Sequence, residues 1–150
     1  MDNRTVPMDL SAPEPRDADD AWLFVIHEQQ LCIDSGGQAP SPGIPRVPSF
    51  LLRGHPDYRF IGLLHGEPCY VCRQAVNGLA DRPLYPMSLR ELMGQLDEIQ
   101  FTMAARALQI ISWRHNHRFC SRCGAETTAH PSELAMLCSA CDYRQYPRIT

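Results

Sequence analysis

The chain has 150 residues, 44% of them hydrophobic and 21% charged, with a formal net charge of −3. That composition is ordinary for a globular protein, and the charge gives no global electrostatic case for nucleic acid or an anionic membrane as partner. No apolar run approaches the roughly 20 residues a membrane-spanning helix needs, so no membrane segment is predicted.

In chain order, residues 1–20 hold three prolines and six acids. They predict a solvated, disordered arm with no apolar core for a signal peptide. Structure is expected to begin at residues 22–26, Trp-Leu-Phe-Val-Ile, with a turn at 27–30 and a return strand at 31–33. Residues 35–49 carry three glycines and four prolines, the composition of a loop. A second hairpin is predicted from 59–64 and 69–73, flanking a four-residue turn His65-Gly-Glu-Pro68. Residues 74–86 read as a connection. Ser88-Leu-Arg-Glu91 is a capping-box sequence that opens a helix. A second helix is predicted over 98–113, where Ile99, Met103, Ala107 and Ile110 share one face and Leu108 and Ile111 lie beside it. That face is expected to cover the sheet. Strands first and helices after argue for an α+β fold.

The chemistry concentrates at the end. Cys120 and Cys123 form one Cys-x-x-Cys pair, and Cys138 and Cys141 form another after fourteen intervening residues. Four thiolates so spaced suit a tetrahedral ion with Zn–S bonds of about 2.3 Å, and a site closed by four protein ligands is structural rather than catalytic. Gly124 removes the Cβ that would obstruct a positive φ after the first pair. Between the pairs a short hairpin is expected, with Thr127 and Thr128 on one arm, 134–137 on the other and 130–132 as the turn. Two disulfides would be the alternative, but a chain without a secretion signal and with seven cysteines fits a reducing, cytoplasmic setting. Cys69 and Cys72 repeat the spacing inside a predicted strand, where residues three apart face opposite ways. With Cys32 they read as small apolar packing residues. His115 and His117 precede a site already filled by thiolates, and read as surface or supporting groups. The domain reading is therefore an arm at 1–20, an α+β domain at 21–114, and a zinc ribbon with the start of a linker at 115–150.

No Gly-x-Ser-x-Gly, phosphate loop or His-Glu-x-x-His sequence is present. Two other functions remain open on these residues alone. One is a nucleic-acid-binding ribbon, with Arg118, Arg122 and Arg144 on phosphates and binding that falls steeply with salt. The other is an iron-loaded electron carrier, which would be coloured.

The run Phe119-Cys-x-x-Cys-Gly124, then Glu133-Leu-Ala-Met-Leu-Cys-Ser-x-Cys141, then Tyr146-Pro147, closely resembles the zinc ribbon of NADH pyrophosphatases of the Nudix superfamily. Upstream, Ala107-Leu-Gln-Ile-Ile-Ser-Trp113, Ser88-Leu-Arg90, Leu64-His-Gly-Glu-Pro68 and His27-Glu-Gln29 resemble further segments of that family in the same order. The resemblance covers about residues 22–149. It implies an N-terminal α+β domain, this ribbon with structural Zn2+, and then a catalytic Nudix domain whose acids hold Mg2+ or Mn2+. Nothing in the 150 residues matches the Nudix signature, so the chain reads as the non-catalytic part, truncated or natural, and is expected to be inactive alone. The whole enzyme would cleave the pyrophosphate of NADH or NAD to NMN(H) and AMP, and relatives also remove NAD caps from RNA. By the same resemblance, Glu133, Tyr146 and Arg90 would bind substrate, a basic contact near Ser35 is lacking here, and the parent protein would be a homodimer.

Overall fold

The structure, a computed structural model, describes residues 8–10, 12–34, 43–55, 57–73, 84–130 and 134–147. The chain divides into two compact units, Met1–Leu108 and Gln109–Thr150.

The first unit is a mixed sheet. In chain order its strands are β1 (Met8–Asp9), β2 (Asp20–His27), β3 (Gln30–Asp34), β4 (Arg46–Pro48), β5 (Arg59–Leu64), β6 (Glu67–Cys72) and β7 (Leu84–Met87). They lie in the order β1-β5-β6-β2-β3-β7, with β4 also on β2. Two antiparallel hairpins, β2–β3 and β5–β6, meet through a parallel pairing that sets Trp22 beside Cys69 and Val25 beside Cys72. Because β2 is central, its run Leu23–Ile26 is buried on both faces rather than alternating. One face carries Ala21, Leu23, Val25, Cys32, Tyr70 and Cys72 in a single apolar cluster with Val47, Leu52 and Tyr58. Cys69 faces the other way and is fully buried, and burial pushes its thiol well above the ordinary range. A thiol so placed packs; it does not act as a nucleophile.

Both hairpin turns are tighter than the sequence predicted. Leu64 pairs with Glu67, so only His65 and Gly66 turn the chain, at φ +52° and +80°. Two successive left-handed residues make the turn that matches the twist of paired strands. Pro68, expected in the turn, is instead the second residue of β6, where it faces Leu63. Two further strands were not legible. β4 lies in the proline-rich stretch expected as loop, and β7 in the expected connection. β7 is an edge strand, and an edge accommodates Pro86 because one row of its amides needs no partner. Residues 35–42 and 74–83, also expected to be loop, lie outside the described residues.

The expected disordered arm needs correction from residue 8 onward. β1 pairs with β5, Ser49 donates its hydroxyl to the Ala18 carbonyl, and Tyr70 donates to the Glu14 carboxylate at 2.5 Å. Tyr70 is only 1% exposed, and a phenol so buried requires an acceptor. Glu14 supplies it, and burial together with that carboxylate raises the Tyr70 hydroxyl above its usual range. Composition revealed the acids of the arm but not the buried donor waiting for one of them.

β1 can approach β5 because of Gly62. Its φ is +142°, and an added Cβ would lie 2.9 Å from the Asp9 carbonyl oxygen. Gly62→Ala is therefore expected to detach β1 and cost about 1–3 kcal/mol, the range for one strained backbone position. Hydrogen exchange at residues 8–10 and 62–64 would register it, and unchanged protection would refute the close-approach argument.

Two helices follow. Ser88 accepts the Glu91 amide at 3.2 Å and opens α1 (Leu89–Leu92), a single turn that stops before Gly94 at φ +87°. α2 (Glu98–Asn116) is capped by Asp97, which accepts the Gln100 amide at 2.8 Å. Met103, Ala104, Ala107 and Ile110 are fully buried, in line with the predicted apolar face. Within the first unit, Arg106 Nε of α2 donates to the Ile61 carbonyl of β5. The fold class is α+β. Among the described residues no helix is long and apolar enough to cross a membrane.

Candidate metal centre

The second unit is built around a small antiparallel sheet of β8 (Thr127–Ala129), β9 (Met136–Cys138) and β10 (Arg144–Gln145), in the order β10-β9-β8. The predicted hairpin corresponds to β8 and β9; β10 had no sequence signal beyond its length of two residues.

The two Cys-x-x-Cys segments adopt the same fold twice. Gly124 N–H bonds the Cys120 carbonyl at 2.9 Å, and Asp142 N–H bonds the Cys138 carbonyl at 3.2 Å. Cys120 N–H bonds the Ala125 carbonyl at 2.7 Å, and Cys138 N–H bonds the Tyr143 carbonyl at 2.9 Å. Each loop closes on a left-handed residue, Gly124 at φ +83° and Asp142 at +61°. Glycine takes that conformation freely and aspartate is among the few side chains that tolerate it. Each turn also aims amides at its first sulfur. Arg122 N–H lies 3.3 Å from Cys120 Sγ, while Ala140 and Cys141 N–H both lie 3.3 Å from Cys138 Sγ.

The four sulfurs lie within 4.8 Å of one another. Cys120 Sγ and Cys141 Sγ are 3.8 Å apart, and Cys123 Sγ and Cys138 Sγ 3.4 Å. A tetrahedron with bonds of about 2.3 Å has edges of about 3.8 Å, so the cage already has the size of a tetrathiolate metal ion. These separations are too long for disulfides, whose sulfurs sit about 2.05 Å apart.

The thiols titrate unequally. The Cys141 and Ala140 amides outweigh burial and hold the Cys138 thiol at about 6. Burial opposes ionisation of Cys120, but the Cys123 and Arg122 amides lower it. Around Cys141 the Tyr143 amide favours the thiolate, yet burial and the neighbouring sulfurs push it to about 12. Cys123 is raised although the Ala125 amide favours its charge, because the Cys138 sulfur and burial outweigh it. Cys138 and Cys120 are lowered while Cys141 and Cys123 are raised by burial and by the sulfurs beside them. A divalent cation among them removes that conflict and lets all four serve as thiolate ligands. The residues therefore fit a structural zinc, with no open position for substrate.

Tyr146 follows β10 in the same unit and is 53% exposed. Arg90 is an exposed residue of α1 in the other unit. Glu133 lies outside the described residues. His117 Nδ1 contacts the Trp113 carbonyl at 2.9 Å, and neither it nor His115 belongs to the sulfur cluster.

Sequence reasoning missed two features beside the centre. Gln145 is 8% exposed, and its side-chain oxygen accepts the Ser121 amide at 3.0 Å, fastening β10 to the first cysteine turn. Arg122 stacks over the Tyr143 ring at 4.4 Å, joining the two turns from outside. No local motif announces either contact, because both depend on how the turns meet.

Residues 115–146 match the NADH pyrophosphatase zinc ribbon domain, and residues 20–113 match the NADH pyrophosphatase-like rudimentary NUDIX domain. Among individual proteins, the chain is 37% identical over 131 residues to a protein named NAD-capped RNA hydrolase NudC from Klebsiella pneumoniae subsp. pneumoniae, covering 87% of this chain and 46% of that one. The protein of the same name from Stutzerimonas stutzeri is 34% identical, with coverage of 86% and 45%. That from Pseudomonas fluorescens is 35% identical over 118 residues, covering 78% and 41%. The chain thus spans less than half the length of these curated relatives.

Proposed function

The chain belongs to the NADH pyrophosphatase family, and on that premise we propose that it is the non-catalytic, substrate-reading part of a protein that hydrolyses the pyrophosphate of NADH or NAD. The products would be NMN(H) and AMP, and the same protein would remove NAD caps from RNA. The observation that carries this reading is the match to both family descriptions, side by side along residues 20–146.

Hydrolysis of a pyrophosphate in this manner requires a cation-holding carboxylate cluster to activate water and neutralise the leaving phosphate. Among the described residues, the four cysteines are the only group of three or more potential ligands. We therefore place the Mg2+ or Mn2+ in the part of the relatives' length that this chain does not span. The ribbon's task is to hold Tyr146 and Glu133 for the nucleotide, Tyr146 as a stacking face and Glu133 as a hydrogen-bond acceptor. Arg90 is assigned a further substrate contact. We place the protein in the cytoplasm, as a homodimer.

The test is product analysis. These 150 residues, zinc-loaded and mixed with NADH and Mg2+, are expected to release no AMP. A protein extended by the relatives' remaining length is expected to release AMP and NMNH in a metal-dependent way. Turnover by the short chain, or none by the extended one, would overturn the proposal.

A further inference from the structure

We propose that the outer surface of the ribbon is a docking track for single-stranded RNA, carrying the nucleotides that follow an NAD cap. The proposal rests on the substrate reading above for its ligand, and on two arginine–aromatic pairs for its place.

Arg122 lies over Tyr143 at 4.4 Å, and Arg118 over Phe119 at 5.3 Å. Both arginines are exposed, and so is Phe119, at 51%. Among the described residues, no carboxylate lies within ion-pairing distance of either guanidinium. Neither guanidinium is therefore held in an ion pair among them, although Glu126 lies opposite Phe119 and Asp142 precedes Tyr143. The Phe119 backbone pairs with Glu126 in an isolated bridge, and its ring carries Arg118 on its face.

The combination matches what an RNA strand offers. Bases stack on aromatic rings and guanidinium planes, and phosphates seek unpaired positive charge. The pairs are also held firmly. Arg118 is fixed by a 2.7 Å bond from Nη1 to the His115 carbonyl, and Phe119 directly precedes ligand Cys120. Arg122 sits inside the first cysteine turn, and Tyr143 supplies the carbonyl that closes the second. Gln145 then ties β10, and with it the adjacent Tyr146, to Ser121 in that same first turn. A cap nucleotide placed on Tyr146 would therefore leave its RNA chain close to Arg122 and Tyr143.

A duplex cannot use this surface, because its bases are already stacked. Nor does the track require the cap, so it can be tested without the hydrolytic reaction. The zinc-loaded 150-residue chain is titrated against a labelled, uncapped single-stranded RNA of about 10 nucleotides, a length within the range of single-strand sites. Fluorescence anisotropy is expected to show binding that weakens with salt. Arg122→Ala is expected to weaken it about tenfold and to reduce the salt slope by about one. Arg122→Lys should keep the slope and lose most of the affinity. Phe119→Ala should also lose about tenfold, and it stands in if Arg122→Ala fails to retain zinc. Absence of binding at low salt, equal binding of a duplex, or variants that bind like the parent would each overturn the track. NADH hydrolysis by the extended protein separates the two ideas. If Arg122→Ala leaves it unchanged while RNA binding falls, the track is supported; if RNA is not bound yet NADH is cleaved, only the track fails.

Discussion

Cys138→Ser is expected to remove the zinc and unfold residues 115–146. Cys138 is fully buried, ends β9 opposite Thr127, and receives two amide hydrogen bonds on its sulfur. Those amides stabilise a thiolate, and a neutral serine hydroxyl gains little from them. Zinc contributes about 10–16 kcal/mol to the folding of such small modules near neutral pH. A whole domain is stable by only about 5–15 kcal/mol, so a unit of this size has nothing in reserve once the ion is gone. Metal analysis should fall from one zinc per chain to none, and the amide spectrum of 115–146 should collapse to unfolded shifts. Resonances of β2, β3, β5 and β6 should persist. Cys72→Ser is the control, since that thiol lies in the apolar cluster of the sheet and should leave zinc content unchanged. A parent protein with a folded ribbon and no metal would refute the zinc assignment.

The second large effect is expected at Tyr146, in the protein extended by the relatives' remaining length. Pro147 biases Tyr146 toward an extended backbone, and β10, fastened through Gln145, fixes where that extension starts. The ring is left 53% exposed at the point where the chain leaves the ribbon. Stacking of a base on such a ring is worth about 1–3 kcal/mol by alanine substitution. Tyr146→Ala should therefore lower kcat/KM for NADH by about tenfold or more, while Tyr146→Phe keeps most of it. Unchanged kinetics for alanine would reduce the residue to a linker. A phenylalanine variant as poor as alanine would transfer the role from ring face to hydroxyl.

The cysteine centre was readable from sequence because its information is local. Two-residue spacers, Gly124 and a hairpin-length linker each constrain a few neighbouring residues, and the cage of sulfurs follows. The same holds for the hairpins and for α2, whose predicted face contains the buried Met103, Ala107 and Ile110. What was not readable depends on distant partners. β7 is a strand only because β3 offers it an edge, and its Pro86 argued the other way. The ordered part of the arm depends on the buried Tyr70 hydroxyl needing Glu14 as its acceptor and on Gly62 leaving room. Gln145 looks like any surface glutamine until Ser121 is brought beside it. The family resemblance was legible from its cysteine, tyrosine and proline spacing over about residues 22–149, and the matched family descriptions run over residues 20–113 and 115–146.

The parallel contact between β2 and β6 also bears on how the sheet comes into being. Each hairpin closes through a turn of two residues and can form within microseconds. Joining them is a different event, since Trp22 must find Cys69 across a long intervening stretch, with the loop-closure entropy lost before any burial compensates. Pairings of that kind slow folding. The sheet should thus assemble as two quickly formed ribbons that search for each other, and the interval of search leaves the apolar edges of β2 and β6 uncovered. Shortening the stretch between β4 and β5 would speed the encounter, whereas changes inside either turn would alter only the fast phase.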